Sequence, residues 1–137
     1  AKVPRVLFRW RIHGRNVTWN DPRLSFEALR RLRARHLAKR IDRPFGIWGA
    51  GAYGRRLARE LDANGARVSF FIDIDPRKIG RTRRGAPVLS VDAGLERARR
   101  ESALVVVAIA VFGARDIVRA QLTERGFAEG ADFVCAG

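Results

Sequence analysis

At 137 residues, 47% hydrophobic and 31% charged, the chain has the size and composition of one globular domain with an appendage, which excludes fibrous and disordered classes. Its formal charge of +14 directs attention to anionic ligands and partners. A lone cysteine, Cys135, excludes an internal disulfide framework and fits a buried thiol in a cytoplasmic protein, while the longest apolar run, Ala103 to Phe112, falls short of the ~18 to 20 residues of a transmembrane segment.

The chain contains no methionine and opens on Ala1 without a signal-peptide pattern, so the expectation is a piece of a longer protein. The charge is uneven. Residues 1–43 carry thirteen Lys and Arg against three acids, whereas residues 44–137 carry fifteen against eleven. This divides the chain into a basic amino-terminal segment and a nearly balanced domain.

In the basic segment, Arg5 to His13 alternates, with Phe8, Trp10 and Ile12 on one side and Arg9, Arg11 and His13 on the other, which predicts a half-buried strand. Gly14 to Pro22 reads as loop. Ser25 can cap a helix running to about Arg40, with Phe26, Leu29, Leu32 and Leu37 as a narrow apolar stripe among basic residues. Basic residues interleaved with Phe8, Trp10 and Trp19 raise the possibility of nucleic acid, but no RNA- or DNA-binding motif accompanies them.

From Pro44 the pattern changes to strands alternating with helices. Phe45 to Trp48 predicts a strand, Ala52 to Asn64 a helix with Tyr53, Leu57 and Leu61 on one side, and Arg67 to Asp75 a second strand. Pro87 to Leu89 predicts a short strand, Asp92 to Arg100 a helix, and Ala103 to Ala110 a strand buried on both faces. Gly113 to Arg125 predicts a helix with Ile117, Val118 and Leu122 inward, and Asp132 to Cys135 a last strand. This order implies an α/β fold: a small Rossmann-like parallel sheet with helices on both faces, preceded by the basic strand-loop-helix segment.

The glycines of Gly46 to Gly54, "GIWGAGAYG", follow the first strand and open the first helix of that βαβ unit, the context a G-x-G-x-x-G motif needs to bind a nucleotide. Gly49 would permit the tight turn, Gly51 the approach of a pyrophosphate and Gly54 close helix–strand packing, with Ala50, Ala52 and Tyr53 lining the loop. Asp73, nineteen residues after Gly54, is placed to accept hydrogen bonds from ribose hydroxyls. A carboxylate there favours NAD or a nucleotide-sugar over NADP, although Arg77 and Lys78 follow closely and weaken that preference. Asp75 completes an Asp-Ile-Asp pair of the kind that holds divalent metals, a reading that ranks below ribose binding. The basic loop Arg77 to Gly85 is either a diphosphate contact or a solvated loop. No general acid or base is evident in residues 44–137, since His13 and His36 both precede them.

"RWRIHGRNVTWNDPR" resembles the closing motif of family 2 glycosyltransferases, matched by Arg11, His13, Asn16 and Thr18. The segment "IWGAGAYGRRLARELDANG…FIDIDPRKIGRTRRGAPVL" is similar to Rossmann-like extensions of some bacterial members. It also resembles the nucleotide-sugar-binding amino-terminal domains of sugar acyltransferases. The resemblance implies a parent enzyme of cell-surface polysaccharide synthesis whose donor-binding transferase domain lies upstream of Ala1. It would assign His13 to a divalent metal in the intact parent alone, leaving this chain without transferase activity. Two other readings stand beside it: a regulatory or assembly domain with an empty glycine turn, self-associating or docking through the basic helix, and a nucleic-acid binder.

Overall fold

The computed structural model describes residues 21–111 and 113–136. The strand expected at Arg5 to His13, the loop up to Asn20, and the readings placed on Phe8, Trp10, His13 and Trp19 lie outside them. The described chain begins with a single 3-10 turn at Pro22–Leu24 and runs α1 (Phe26–Ala38), β1 (Phe45–Trp48), α2 (Ala52–Ala63) and β2 (Phe70–Ile72). It continues with β3 (Thr82–Arg83), β4 (Ala86–Leu89), α3 (Val91–Arg100), β5 (Leu104–Val107), α4 (Ala114–Glu124) and β6 (Phe133–Cys135).

The six strands form one sheet in the order β3-β4-β2-β1-β5-β6. All neighbours are parallel except β3 and β4, which form an antiparallel hairpin on the edge. From β1 the chain builds outward to β2 and β4, then returns past β1 to lay down β5 and β6. The order reverses between β1 and β5. In open α/β sheets, ligands bind at such a reversal, outside the carboxyl ends of the strands.

Alternation along the strands sends side chains into two cores. Phe45, Ile47, Phe71 and Val106 meet Ala34 of α1 and Leu57, Ala58 and Leu61 of α2 on one face. Trp48, Phe70, Ile72, Val105 and Val107 meet Leu95 and Ala98 of α3 and Val118 and Leu122 of α4 on the other. Helices therefore cover both faces, as the periodicity implies. Burying each large apolar side chain contributes about 1.5–3 kcal/mol.

Three local expectations are corrected. Arg77 to Gly85, expected as loop, contains β3: Arg84 (φ 51°) and Gly85 (φ 79°) form a two-residue turn with positive φ at both positions, the geometry that matches strand twist in a hairpin. Ile117, expected inward on α4, is exposed while Val118 and Leu122 are buried. On α1, which is capped by the Ser25 hydroxyl accepting from the Ala28 N–H at 3.1 Å, the stripe is rotated. Phe26 and Leu32 are exposed, whereas Arg30 and Ala34 are buried and Leu37 is half-buried, because residues at 30, 34 and 37 share the side that packs on α2.

Burying Arg30 has an energetic consequence. Its Nη2 lies 3.7 Å from Glu60 Oε1 on α2, and its Nε has no hydrogen-bond partner among the described residues. Removing one member of a buried pair strands the other charge, while replacing both by apolar groups removes the desolvation cost. Glu60→Met is therefore expected to destabilise the protein by about 3 kcal/mol, and Arg30→Met/Glu60→Met to lie within about 1 kcal/mol of the native chain or above it. Urea denaturation of both variants checks the ordering; a double variant less stable than Glu60→Met alone would overturn it.

Candidate functional site

The turn between β1 and α2 sits at the sheet reversal. Gly49 has φ +116°, its N–H donates to the Ile72 carbonyl at 2.7 Å, and a Cβ there would stand 2.6 Å from the Ala108 carbonyl oxygen at the end of β5. Gly54 is packed harder still: its Cβ would lie 1.8 Å from the Gly49 carbonyl oxygen. Both glycines are thus required by the chain's own packing. Gly51 differs. Its backbone is ordinary extended conformation (φ −75°, ψ −169°), and nothing lies within 4 Å of the position of a Cβ.

Gly51 is also the N-cap of α2, with no side chain capping the helix. The first N–H groups of a helix have no intrahelical acceptor, and the helix dipole places partial positive charge there, so an uncapped start favours an anion. α4, on the far side of the reversal, likewise starts on a glycine, Gly113, without a side-chain cap, whereas α1 and α3 are capped by Ser25 and Ser90. The two uncapped helices flank the reversal.

The end of β2 supplies the charged groups. Asp73 is 6% exposed and acts as a latch on the turn: Oδ2 accepts the Ala50 N–H at 2.8 Å, and Oδ1 accepts the Asp75 N–H at 2.9 Å. Lys78 Nζ donates to both oxygens, at 3.1 and 3.3 Å. Asp75 Oδ1 accepts from the Arg77 N–H at 3.0 Å and Arg77 Nε at 3.1 Å, and Oδ2 from Arg77 Nη2 at 3.2 Å. These hydrogen bonds from Arg77 hold the Asp75 carboxyl well below its ordinary range, lowered to about 2, and raise the guanidinium in turn.

No family model matches the sequence, and no curated protein matches it. Solved structures do. UDP-D-quinovosamine 4-dehydrogenase from Vibrio fischeri superposes with a TM-score of 0.56 at 21% identity, over 62% of this chain and 73% of that one. RSP in complex with β-NADH gives 0.52 at 20% identity, over 73% and 57%, and RSP, described as a Rex-family repressor, gives 0.53 at 19% identity, over 69% and 52%. The fold is Rossmann-like. The chain spans little more than half of the RSP chains. Neither protein is named as a glycosyltransferase.

Within this Rossmann-like frame the glycine turn, Asp73, Asp75, Arg77 and Lys78 all gather at the carboxyl edge of the sheet. Tyr53 lies in the first turn of α2, beside the glycine turn. It packs into the core of the α1–α2 face, and its hydroxyl donates to the Ala136 carbonyl at 2.6 Å, with Arg33 Nη1 at 3.4 Å. Exposed apolar side chains rim the edge instead, Ile74 after β2 and Val111 after β5. The uncapped start of α4 carried no role in the sequence reading; its signal was the glycine between a buried strand and a helix.

Among the described residues no group of three or more His, Cys, Asp or Glu is placed to hold a metal ion, and His13 lies outside them. Cys135, at the end of β6, has its thiol pushed up chiefly by burial, which disfavours the reactive thiolate. Two recesses of about 290 and 280 Å³ share Arg43 at the opposite, amino-terminal edge of the sheet, one reaching Leu104 and Ala131, the other Phe127. Neither includes the glycine turn, and neither presents an uncapped helix start. The uncapped helix starts lie instead at the carboxyl edge of the sheet. Among the described residues no helix is long and apolar enough to cross a membrane.

Proposed function

We propose that this chain is a nucleotide-binding module that holds a dinucleotide or a nucleotide-sugar by its diphosphate. Gly49, Ala50 and Gly51 and the N–H groups of Ala52, Tyr53 and Gly54 form the cradle, with the Asp73 to Lys78 segment beside the ribose. The observation that carries the reading is Gly51: packing and backbone geometry both leave room for a side chain there, so what calls for its absence lies outside the chain. The likeness in fold to a UDP-sugar dehydrogenase and to a repressor bound to NADH supports the ligand class. On the sequence resemblance, the parent is a glycosyltransferase of cell-surface polysaccharide synthesis, and residues 1–43 hold the end of its transferase domain followed by a linker helix, α1, which packs on α2.

What the crevice offers is backbone N–H groups and cations, the means of holding a ligand. The module's role is therefore binding, with any chemistry supplied by the parent. Isothermal titration with NAD, NADP, UDP, GDP and nucleotide-sugars, at two salt concentrations, tests this. Micromolar binding that persists at the higher salt is the expected result. Binding that salt erases is the general attraction of a +14 chain for any phosphate and would overturn the proposal.

A further inference from the structure

We infer that the ribose end of this crevice selects a ribose that carries a phosphate monoester over one with free hydroxyls. The inference rests on the nucleotide-binding reading above and deepens it. It starts from the accepting capacity of the two carboxylates at the end of β2. A carboxylate has about four lone-pair sites. All four of Asp73 are taken, by the Ala50 and Asp75 N–H groups and twice by Lys78 Nζ. Asp75 is taken by three bonds from Arg77, with Lys78 Nζ a further 3.6 Å from Oδ2.

Asp73 is left no site for the 2′- and 3′-hydroxyls of a bare ribose, and Asp75 keeps at most one, on Oδ2, beside the Lys78 ammonium. The usual basis for rejecting a ribose phosphate, an unpaired carboxylate at this strand end, is neutralised by the chain's own cations. What the segment turns outward is positive. The Arg77 side chain is 87% exposed although paired, and the exposed Arg81 is braced against the same segment, its Nε donating to the Arg77 carbonyl at 2.7 Å. Two acids thus face three cations within nine residues. A planar guanidinium with donors to spare suits phosphate oxygens better than sugar hydroxyls.

Matched ligands that differ by the monoester alone provide the test: NADP against NAD for a 2′-phosphate, and coenzyme A against 3′-dephospho-coenzyme A for a 3′-phosphate. Titration at two salt concentrations is expected to show the phosphorylated member of at least one pair bound about tenfold tighter or better, the size expected of a charge-assisted contact. The pair that discriminates identifies the position of the phosphate. Arg77→Gln, a change at an exposed side chain, is expected to reduce the preference to about threefold or less, while Arg100→Gln, an equal charge change at the carboxyl end of α3, leaves it intact. Lys78→Met, which frees Asp73, is expected to tighten NAD binding. Equal affinities within both pairs, or tighter binding of the unphosphorylated members, would overturn the inference while leaving the diphosphate cradle standing. No binding by any of the four would overturn the inference, and the cradle falls with it only if UDP, GDP and the nucleotide-sugars fail to bind as well.

Discussion

Gly54→Ala is expected to destabilise the protein by about 3 kcal/mol or more, at the top of the range for overpacking a core. The reason is the neighbour. The added methyl would be 1.8 Å from the Gly49 carbonyl oxygen and 3.0 Å from its carbon, both backbone atoms, so no side-chain rotation relieves the clash. Relief requires either α2 to retreat or the turn to open. α2 is held by Leu57, Ala58 and Leu61, all fully buried against β1 and its neighbours. The turn is held by the Gly49 N–H on Ile72 and the Ala50 N–H on Asp73. Either movement gives up contacts that a domain of this size, stable by roughly 5–15 kcal/mol in total, can hardly spare. Urea denaturation reads the loss directly, and a thermal midpoint lower by about 10 °C or more is expected alongside it. An unchanged midpoint would mean that the turn is looser than its hydrogen bonds indicate.

The frame was legible in the sequence because its signals are periodic. β1 lies where four apolar residues enter the glycine motif, and β5 where a buried run of β-branched residues is too short for a membrane. The position of the crevice followed, since a glycine motif between a strand and a helix of a βαβ unit fixes both the turn and the helix start that faces it. What was not legible depended on partners distant in sequence or on polar elements. β3 consists of Thr82 and Arg83, with no apolar alternation, and its turn is Arg-Gly, not the Asn-Gly that announces a hairpin. The burial of Arg30 is decided by Glu60 on another helix. Asp73 could be placed at a strand end, but its saturation could not be read: it needs the turn after Asp75 to bring Lys78 back over the carboxylate. That closure bears on the site because it pairs the carboxylate expected to accept from ribose with donors of the chain itself.

Gly51→Val separates the cradle from the fold. The substitution is expected to leave stability within about 1 kcal/mol of the native chain, since the backbone at Gly51 is extended and any residue adopts it, nothing lies within 4 Å of the new Cβ, and loss of a glycine N-cap costs only modestly. Nucleotide affinity is expected to fall by about 100-fold or more, equivalent to roughly 2.7 kcal/mol. A diphosphate held by the N–H groups of Ala52 to Gly54 must come within hydrogen-bond distance of backbone that two methyl groups would then cover. Gly51→Ala, with a single methyl in the same open space, should fall between the two. The contrast with Gly54→Ala is what gives the experiment its force: one glycine answers to the carbonyl of Gly49 inside the protein, the other to something that arrives from outside. Titration of Gly51→Val, with its urea midpoint measured in parallel, distinguishes the cases. Lost binding with an unchanged midpoint assigns Gly51 to the ligand. Unchanged affinity with an unchanged midpoint would take the diphosphate away from this turn, and any nucleotide the chain binds would then have to be held elsewhere on its basic surface.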